Sequence, residues 1–597
     1  DTATLEEDSL LFSARFDSSR WQGDIDARPL VYNPGDATPT VGQPVWSAAE
    51  ILDQQSNADM TDRVVLTYDA SSRAGKPFRW DDLTVSQKND LRFGSGTDAE
   101  RDARGEQRLA FLRGDRSREG SDFRVRDSRL GDIIHSTPVR VSRPAVGWPD
   151  TSPFGVDTNR YSDFRAAKSS RTPVLYVGAN DGMLHGFVAT ESGGQEVMAY
   201  MPSLVFSDQP ARGMHHLTSK SYSHRYYVDL TPTVSDVYTR GRLPSGVATT
   251  ARNWRTVLLG GLRSGGAGVF ALDVTDPAAF SDENASQVAL WEFTHPKLGV
   301  VTQPPQVALA DWGNGDYRWT AFVSNGYNGQ TASTGFFMLD IEGLIGRAPQ
   351  EGNGSTDNYQ YVEFAESGTG LSPLSLYDTT GDRTVDRVYA GDLNGRMWVG
   401  IGGNQGWGSA YRTGQTPLPL FTSPSVGSPA ERQSITAAPM IIRNAGQNPA
   451  GGAPDTYVLF GTGRYMGVND LSDNRQQAFY AVRDTGSSQV TVSQLAQRRL
   501  VNYPNYQGLG VDALLSETST GGAANDDRGW YVNLFESGER IYLTPQVRGR
   551  YIFAVSIIPS SNPCISGGES RIMVFGLDGL TPDRPVLTAL DVPVTSY

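Results

Sequence analysis

Apolar and polar residues alternate in short runs along most of the chain, and the runs come in pairs. Segments rich in β-branched and aromatic residues end in glycine or Asn/Asp turns, the pattern of β-hairpins. Six pairs are read: 174–178 with 183–188 across Asn180-Asp181-Gly182, 256–260 with 268–274, 321–324 with 336–341, 387–390 with 396–399, 457–460 with 478–482, and 551–557 with 571–575. Several second strands close on Leu-Asp, as at Leu272-Asp273, Leu339-Asp340 and Leu577-Asp578. Ahead of each hairpin lies a further short strand opened by proline. These are Thr137-Pro138-Val139, Thr231-Pro232-Thr233-Val234, Pro304-Pro305-Gln306-Val307, Ser372-Pro373-Leu374, Ala438-Pro439-Met440-Ile441 and Thr544-Pro545-Gln546-Val547. Proline fits the start of a strand, where its missing N–H breaks no ladder bond.

The unit recurs at about 65 to 105 residues, longer than the blades of standard repeats, so the loops carry insertions. Six copies of a sheet unit predict an all-β fold, a β-propeller over residues 126–597 in which neighbouring sheets cover one another's faces. A row of separate sandwiches is the alternative. Residues 1–125 differ: 10–16 reads as a strand able to complete a terminal blade, and 81–92 and 98–112 read as two short helices. This N-terminal strand plus helical segment is expected to pack on the propeller. Polar stretches at 162–172, 351–357 and 516–528 read as exposed insertions.

Composition narrows the function. With 10% aromatic and 38% hydrophobic residues the chain can build a core, which excludes wholesale disorder. A formal charge of −14 argues against nucleic acid and against electrostatic docking on an anionic membrane. Cys564 is the only cysteine, so no disulfide forms within the chain, and a large propeller needs none. No apolar run approaches the roughly 18 residues of a membrane span. There is no signal-peptide pattern, and the chain starts at Asp1, so it reads as a mature chain or an excised piece.

One segment carries chemistry that a plain turn does not need: Asp378-Thr379-Thr380-Gly381-Asp382-Arg383-Thr384-Val385-Asp386. Oxygen-bearing side chains fall at positions 1, 3, 5 and 9 of a calcium-loop frame, and Thr384 at position 7 offers its backbone carbonyl. Calcium is a hard cation that takes six to eight oxygens at about 2.3–2.6 Å, and alternate residues of a curled loop supply them. The expected ligands are Asp378, Thr380, Asp382, Thr384 and Asp386. The frame departs from the EF-hand: Thr380 replaces an acid or amide, Arg383 stands where glycine is usual, and no Glu follows at position 12. The alternative is an Asp/Gly-rich turn with solvated carboxylates.

Other constellations read as structure. Asp311-Trp312-Gly313-Asn314-Gly315-Asp316 has fewer ligands and reads as an ordinary hairpin turn. Arg113-Gly114-Asp115 spells an integrin-recognition tripeptide but sits at a predicted helix end, where Gly114 suits a C-terminal turn. His215-His216 reads as a solvated loop, His224 as part of a packed strand, and His185 as structural. No nucleophile elbow and no nucleotide-binding glycine loop is present, so no enzyme is expected.

Against this background the chain resembles the C-terminal propeller region of the PilY/PilC type IV pilus tip-associated adhesins. The carriers are Leu130-Gly131-Asp132-Ile133-Ile134-His135-Ser136-Thr137-Pro138-Val139, Leu175-Tyr176-Val177-Gly178-Ala179-Asn180-Asp181-Gly182-Met183-Leu184-His185-Gly186-Phe187 and Ser223-His224-Arg225-Tyr226-Tyr227-Val228-Asp229. Gly268-Val269-Phe270-Ala271-Leu272-Asp273-Val274-Thr275-Asp276-Pro277, Asp386-Arg387-Val388-Tyr389-Ala390-Gly391-Asp392-Leu393 and Gly461-Thr462-Gly463-Arg464-Tyr465-Met466 complete the set. The resemblance implies a modified propeller of seven blades, one more than the six counted. It also implies a calcium ion held by Asp378, Thr380, Asp382, the Thr384 carbonyl and Asp386. Thr380 departs from the family's Asn or Asp there. The protein it implies is an extracellular one at the pilus tip, reached through the periplasm. There it would work with minor pilins in pilus biogenesis, in calcium-controlled extension and retraction, in twitching motility and in adhesion to a host-cell or surface receptor. The family's N-terminal von Willebrand A-like domain is not in this sequence, so a fragment or truncated member is expected. A quinoprotein-like propeller dehydrogenase is the competing class. Its alcohol-oxidising members hold the quinone beside a vicinal disulfide, which one cysteine cannot form.

Overall fold

The computed structural model describes residues 10–31, 39–156, 158–404, 406–427, 431–443, 455–503, 513–518, 528–560, 568–580 and 589–593. Cys564 and residues 519–527 of the expected insertion at 516–528 lie outside them. Each of the six hairpins read from the sequence sits in its own sheet. The prolines mark where those sheets begin: Pro138, Pro232, Pro305, Pro439 and Pro545 each stand one residue before a strand, at Val139–Val141, Thr233–Thr239, Gln306–Asp311, Met440–Arg443 and Gln546–Arg548. Pro373 is the exception, lying inside Leu371–Tyr377 where the register with Arg387–Asp392 shifts between Leu371 and Leu374. A bulge spares the ladder the missing N–H.

The chain forms two compact units, Asp1–Val307 with Arg318–Ala321 and Leu339–Tyr359, and the remainder. In the first unit, strand Val174–Gly178 has no solvent-facing side, and alternation explains why. Tyr176 joins a core with Tyr200, Leu258, Phe270 and Leu272 of the first two sheets, while Leu175 and Val177 face Ile25, Trp46, Leu52 and Phe187. Successive side chains of a strand point to opposite faces, so a sheet covered on both sides reads as a continuous apolar run. Strand Leu10–Asp17 pairs with Gln22–Val31 in a separate ribbon, and does not complete a terminal sheet as the sequence allowed.

The helices are Val85–Leu91 and Asp98–Arg113, both opened by capping boxes, at Thr84/Gln87 and Thr97/Glu100. Leu91, Leu109, Phe111 and Leu112 bury them in the core of the first two sheets. The reading of residues 1–125 as one strand plus helices missed Val65–Asp69 and Ala74–Pro77, which extend the first sheet through a parallel pairing with Glu196–Tyr200. It also missed the helix Ala48–Gln54, and Tyr161–Ala167 is helical where an exposed insertion was expected.

The second unit repeats the same packing logic. One core joins Phe322 and Phe336 to Leu374 and Trp398, the next joins Tyr389 and Val399 to Phe460 and Tyr480, and a third joins Phe479 and Trp530 to Ile552 and Phe575. The fourth and fifth sheets thus each use one face for the sheet before and the other for the sheet after, as consecutive blades do.

The histidines differ from expectation. His215 and His216 are buried in a short helix, Gly213–Leu217, not solvated, because the Asp90 carboxylate accepts from His215 Nδ1 at 2.7 Å and from two backbone N–H groups of that turn. His224 lies outside any strand, stacked on Trp21 and 2.9 Å from Asp132. The Arg113 of the integrin-type tripeptide is 4% exposed and donates to the carbonyls of Phe78, Thr61 and Arg63, while Gly114 ends the helix at φ 120°. The tripeptide is therefore a helix terminus, and Arg113→Ala is expected to cost about 3 kcal/mol by orphaning buried carbonyls, read as a lower denaturant midpoint.

Candidate metal site

Residues 378–386 connect two antiparallel neighbours, Leu371–Tyr377 and Arg387–Asp392, so the acidic loop is the hairpin connection of the fourth sheet. It also reaches a second sheet. Thr384–Val385 runs parallel to Gln306–Asp311, with Thr384 opposite Leu309 and Val385 opposite Ala310. Two of the nine loop residues are thereby fixed by ladder hydrogen bonding to the third sheet. Thr384 is buried, whereas Thr380, Gly381, Asp382 and Arg383 form an exposed tip.

The carboxylates organise the loop backbone. Asp378 Oδ1 accepts from the N–H of Thr380 at 3.0 Å and of Gly381 at 2.6 Å, and its Oδ2 accepts from Arg383 N at 2.6 Å. Asp382 Oδ1 accepts from the N–H and hydroxyl of Thr384 at 2.8 and 2.6 Å. Asp386 Oδ2 accepts from the N–H and hydroxyl of Thr379 at 3.1 and 2.5 Å. Burial would raise the Asp382 carboxyl, but these hydrogen bonds outweigh it and hold the group below its usual range. Asp386 goes the other way: burial pushes it up, the Thr379 bonds offset only part of this, and the charge of Asp378 adds to the rise. A carboxylate disfavoured by burial and by a like charge is one that a cation would relieve.

The backbone meets one requirement the sequence seemed to violate. Arg383, where a calcium loop usually has glycine, has φ 69°, and Gly381 has φ 81°. The sharp left-handed turn is present although an arginine makes it, at a cost of about 1 kcal/mol. Arg383→Gly relieves that strain and removes a cation from beside three carboxylates. It is expected to raise stability by up to about 1 kcal/mol and to tighten calcium binding several-fold, by calorimetry.

The donor set is all hard oxygen, which fits calcium and does not fit a soft transition metal. Among the described residues no three His, Cys, Asp or Glu side chains converge on one point. Asp378, Asp382 and Asp386 are each turned onto an N–H group, and binding a cation requires them to swing inward.

Sequence reasoning set aside the neighbouring turn, and the structure brings it close. The parallel pairing carries Asp311 alongside the loop, and the charges of Asp311 and Asp382, after burial, raise the Tyr317 hydroxyl. Asp311 Oδ1 accepts from Gly313 and Gly315 N–H, as an ordinary turn would have it. No spacing rule along the chain signals this neighbour, because only strand pairing creates it.

Fold and loop together define an all-β propeller with an acidic loop braced between two sheets. The chain belongs to the PilY1 β-propeller family: residues 130–504 match the model described as the PilY1 beta-propeller domain. It is 31% identical over 624 residues to the type IV pilus biogenesis factor PilY1 of Pseudomonas aeruginosa strain PAK, covering 96% of this chain and 48% of that protein. It is 28% identical over 589 residues to a PilY1 homolog of Xylella fastidiosa, covering 96% of this chain and 41% of that one. The chain therefore spans about half the length of these relatives, or less. The crystal structure of the Pseudomonas aeruginosa PilY1 C-terminal domain superposes with a TM-score of 0.52 at 25% identity, covering 74% of this chain and 87% of that one. The relatives are named as pilus biogenesis factors, not as enzymes. Among the described residues no helix is long and apolar enough to cross a membrane.

Proposed function

We propose that the protein is a non-enzymatic, calcium-binding factor of type IV pili. In this reading it passes through the periplasm to the cell surface and pilus tip. With minor pilins there, it supports pilus biogenesis, extension and retraction, twitching motility and adhesion to a host-cell or surface receptor. Family membership carries the pilus part of this reading, and the loop at 378–386 carries the calcium part. Asp378, Thr380, Asp382, the Thr384 carbonyl and Asp386 would hold the ion. Bound calcium would supply a positive charge that neutralises three carboxylates and fixes the loop tip. Because Thr384 and Val385 pair with the third sheet while Asp386 leads into the fourth, ordering the tip stiffens the seam between those sheets. A ligand shifts a conformational equilibrium only by its differential affinity for the two states, and couplings of about 1–3 kcal/mol are typical.

The test is Asp382→Ala at the native locus, scored for surface protein, piliation and twitching. The expected result is normal surface protein with altered piliation or twitching. Unchanged piliation and twitching, in a variant that no longer binds calcium, would detach the loop from pilus function.

A further inference from the structure

Away from the acidic loop, the first unit carries a cleft of about 860 Å³ between helix Asp98–Arg113 and the turn Gly213–Leu217 with the residues that follow it. A second cleft of about 250 Å³ shares Ala103, Gln107 and Phe123 with it and extends it along the helix.

The wall is cationic in a way that internal pairing does not account for. Arg104 and Arg108 stand one turn apart on the helix and donate to backbone carbonyls, Arg104 to Phe93 and Ser95, Arg108 to Leu91 and Phe93. Neither guanidinium makes an ion pair there, and the Arg108 Nε is buried without a partner. Lys220, exposed at the rim, donates to the carbonyl of Ser121. The two carboxylates of the larger cleft are already engaged, Glu100 by the N–H and hydroxyl of Thr97 and Asp122 by Arg118. The extension carries Glu106 and Asp115 beside Arg118, so the cationic surface is confined to the larger cleft.

His215 adds a second requirement. It lines the cleft and is 5% exposed, its ring is stacked on Phe93 with centroids 4.1 Å apart, and its Nε2 is buried without a partner. The ring cannot turn to find one, since Nδ1 is held 2.7 Å from Asp90. Asp90 also accepts from the N–H groups of Ser207, Met214 and His215. It is therefore an acceptor, and Nδ1 carries the hydrogen. In the neutral ring Nε2 is then an acceptor waiting for a donor. A single ligand carrying an oxyanion and a hydroxyl would serve the guanidinium groups and Nε2 together.

We propose that this cleft binds an acidic saccharide, its carboxylate or sulfate against Arg104, Arg108 and Lys220 and a hydroxyl donating to His215 Nε2. Ser219, Ser221 and Ser223 on the same wall hydrogen-bond further hydroxyls, and the half-buried Phe93 offers apolar surface to the sugar ring. An acidic peptide would satisfy the cations and could donate to Nε2 through a backbone N–H, so it is the comparison ligand that matters most. The serine-lined wall favours a ligand rich in hydroxyls.

Calorimetric titration of the whole chain with a chondroitin sulfate disaccharide tests this, with lactose and tetra-aspartate as comparison ligands. The disaccharide is expected to bind one to one, more weakly at high salt. Arg108→Gln should weaken it about tenfold, the worth of one charge-assisted hydrogen bond, and Lys220→Glu several-fold. Lys220 is exposed, so its variant decides the matter even where Arg108→Gln disturbs the cap of helix Val85–Leu91. Four results would overturn the proposal: no heat at millimolar disaccharide, lactose binding as tightly, tetra-aspartate binding more tightly, or affinity unmoved by Lys220→Glu.

Discussion

Glu196→Ala is expected to destabilise the protein by about 3–5 kcal/mol, the cost of stripping one partner from a buried ion pair. Glu196 accepts from the Arg63 guanidinium and from His185 Nδ1, the latter at 2.7 Å, while His185 Nε2 faces Asp181 at 3.1 Å. Asp181 in turn accepts from Gly131 N at 2.9 Å. The side chains of Arg63, Glu196 and His185 are at most 4% exposed, so water cannot replace a lost partner. The network ties residue 63, at the mouth of strand Val65–Asp69, to the strand it pairs with, Glu196–Tyr200. Joint replacement of Arg63, His185 and Glu196 by apolar residues of similar volume, with Asp181→Asn to remove the carboxylate that His185 faces, should recover much of the loss, since no orphaned charge then remains.

The same network sets a pH window. Burial alone would lower the His185 pKa, but Asp181 and Glu196 outweigh it and hold it up at about 9, against 6.5 in the unfolded chain. Its contribution is complete below pH 6.5 and is lost as pH rises through about 9. Burial would raise Glu196, but Arg63 and His185 hold it down at about 2, so its contribution is present above pH 4.5 and lost as pH falls through about 2. Melting temperature should therefore fall between neutral pH and pH 9 in the parent. In a His185→Leu, Glu196→Leu, Arg63→Met variant this part of the fall should vanish.

Calcium should be the second large lever on stability. At a free concentration about 100 times the dissociation constant, binding should stabilise the folded state by roughly 2.7 kcal/mol. Chelation should then lower the melting temperature, and Asp382→Ala should remove that response. Since the loop is anchored at both ends by strand pairing, loss of the ion should loosen mainly the tip at 380–383 and leave the sheets intact. Thr380→Asp should strengthen the response by adding a fourth carboxylate, because Thr380 is exposed and has room for it.

How much was legible in the sequence depended on how local the signal was. Asn180-Asp181-Gly182 and the prolines before Val139, Thr233, Gln306, Met440 and Gln546 act within a few residues of themselves, and they marked the sheets correctly. Val65–Asp69 was missed because the turn to its hairpin partner Ala74–Pro77, Ala70-Ser71-Ser72-Arg73, has no glycine or asparagine to mark it, and its other partner, Glu196–Tyr200, lies far along the chain and pairs in parallel. His215 looked solvated because Asp90, the residue that buries it, is 125 positions away. The acidic frame at 378–386, from which the calcium proposal comes, could be read because its oxygen-bearing residues alternate within one nine-residue segment. That Arg383 would still adopt the left-handed turn was not, since arginine normally argues against it.

The central claim is that residues 378–386 form a calcium loop, and calorimetric titration of calcium into chelator-treated protein tests it most directly. One ion per chain is expected, with a dissociation constant between about 10⁻⁶ and 10⁻³ M, weakened by the neutral Thr380 and the adjacent Arg383. The Asp382→Ala protein should give no heat beyond dilution. No binding to the parent at millimolar calcium, or equal binding to the Asp382→Ala protein, would contradict the account and leave the loop a solvated hairpin.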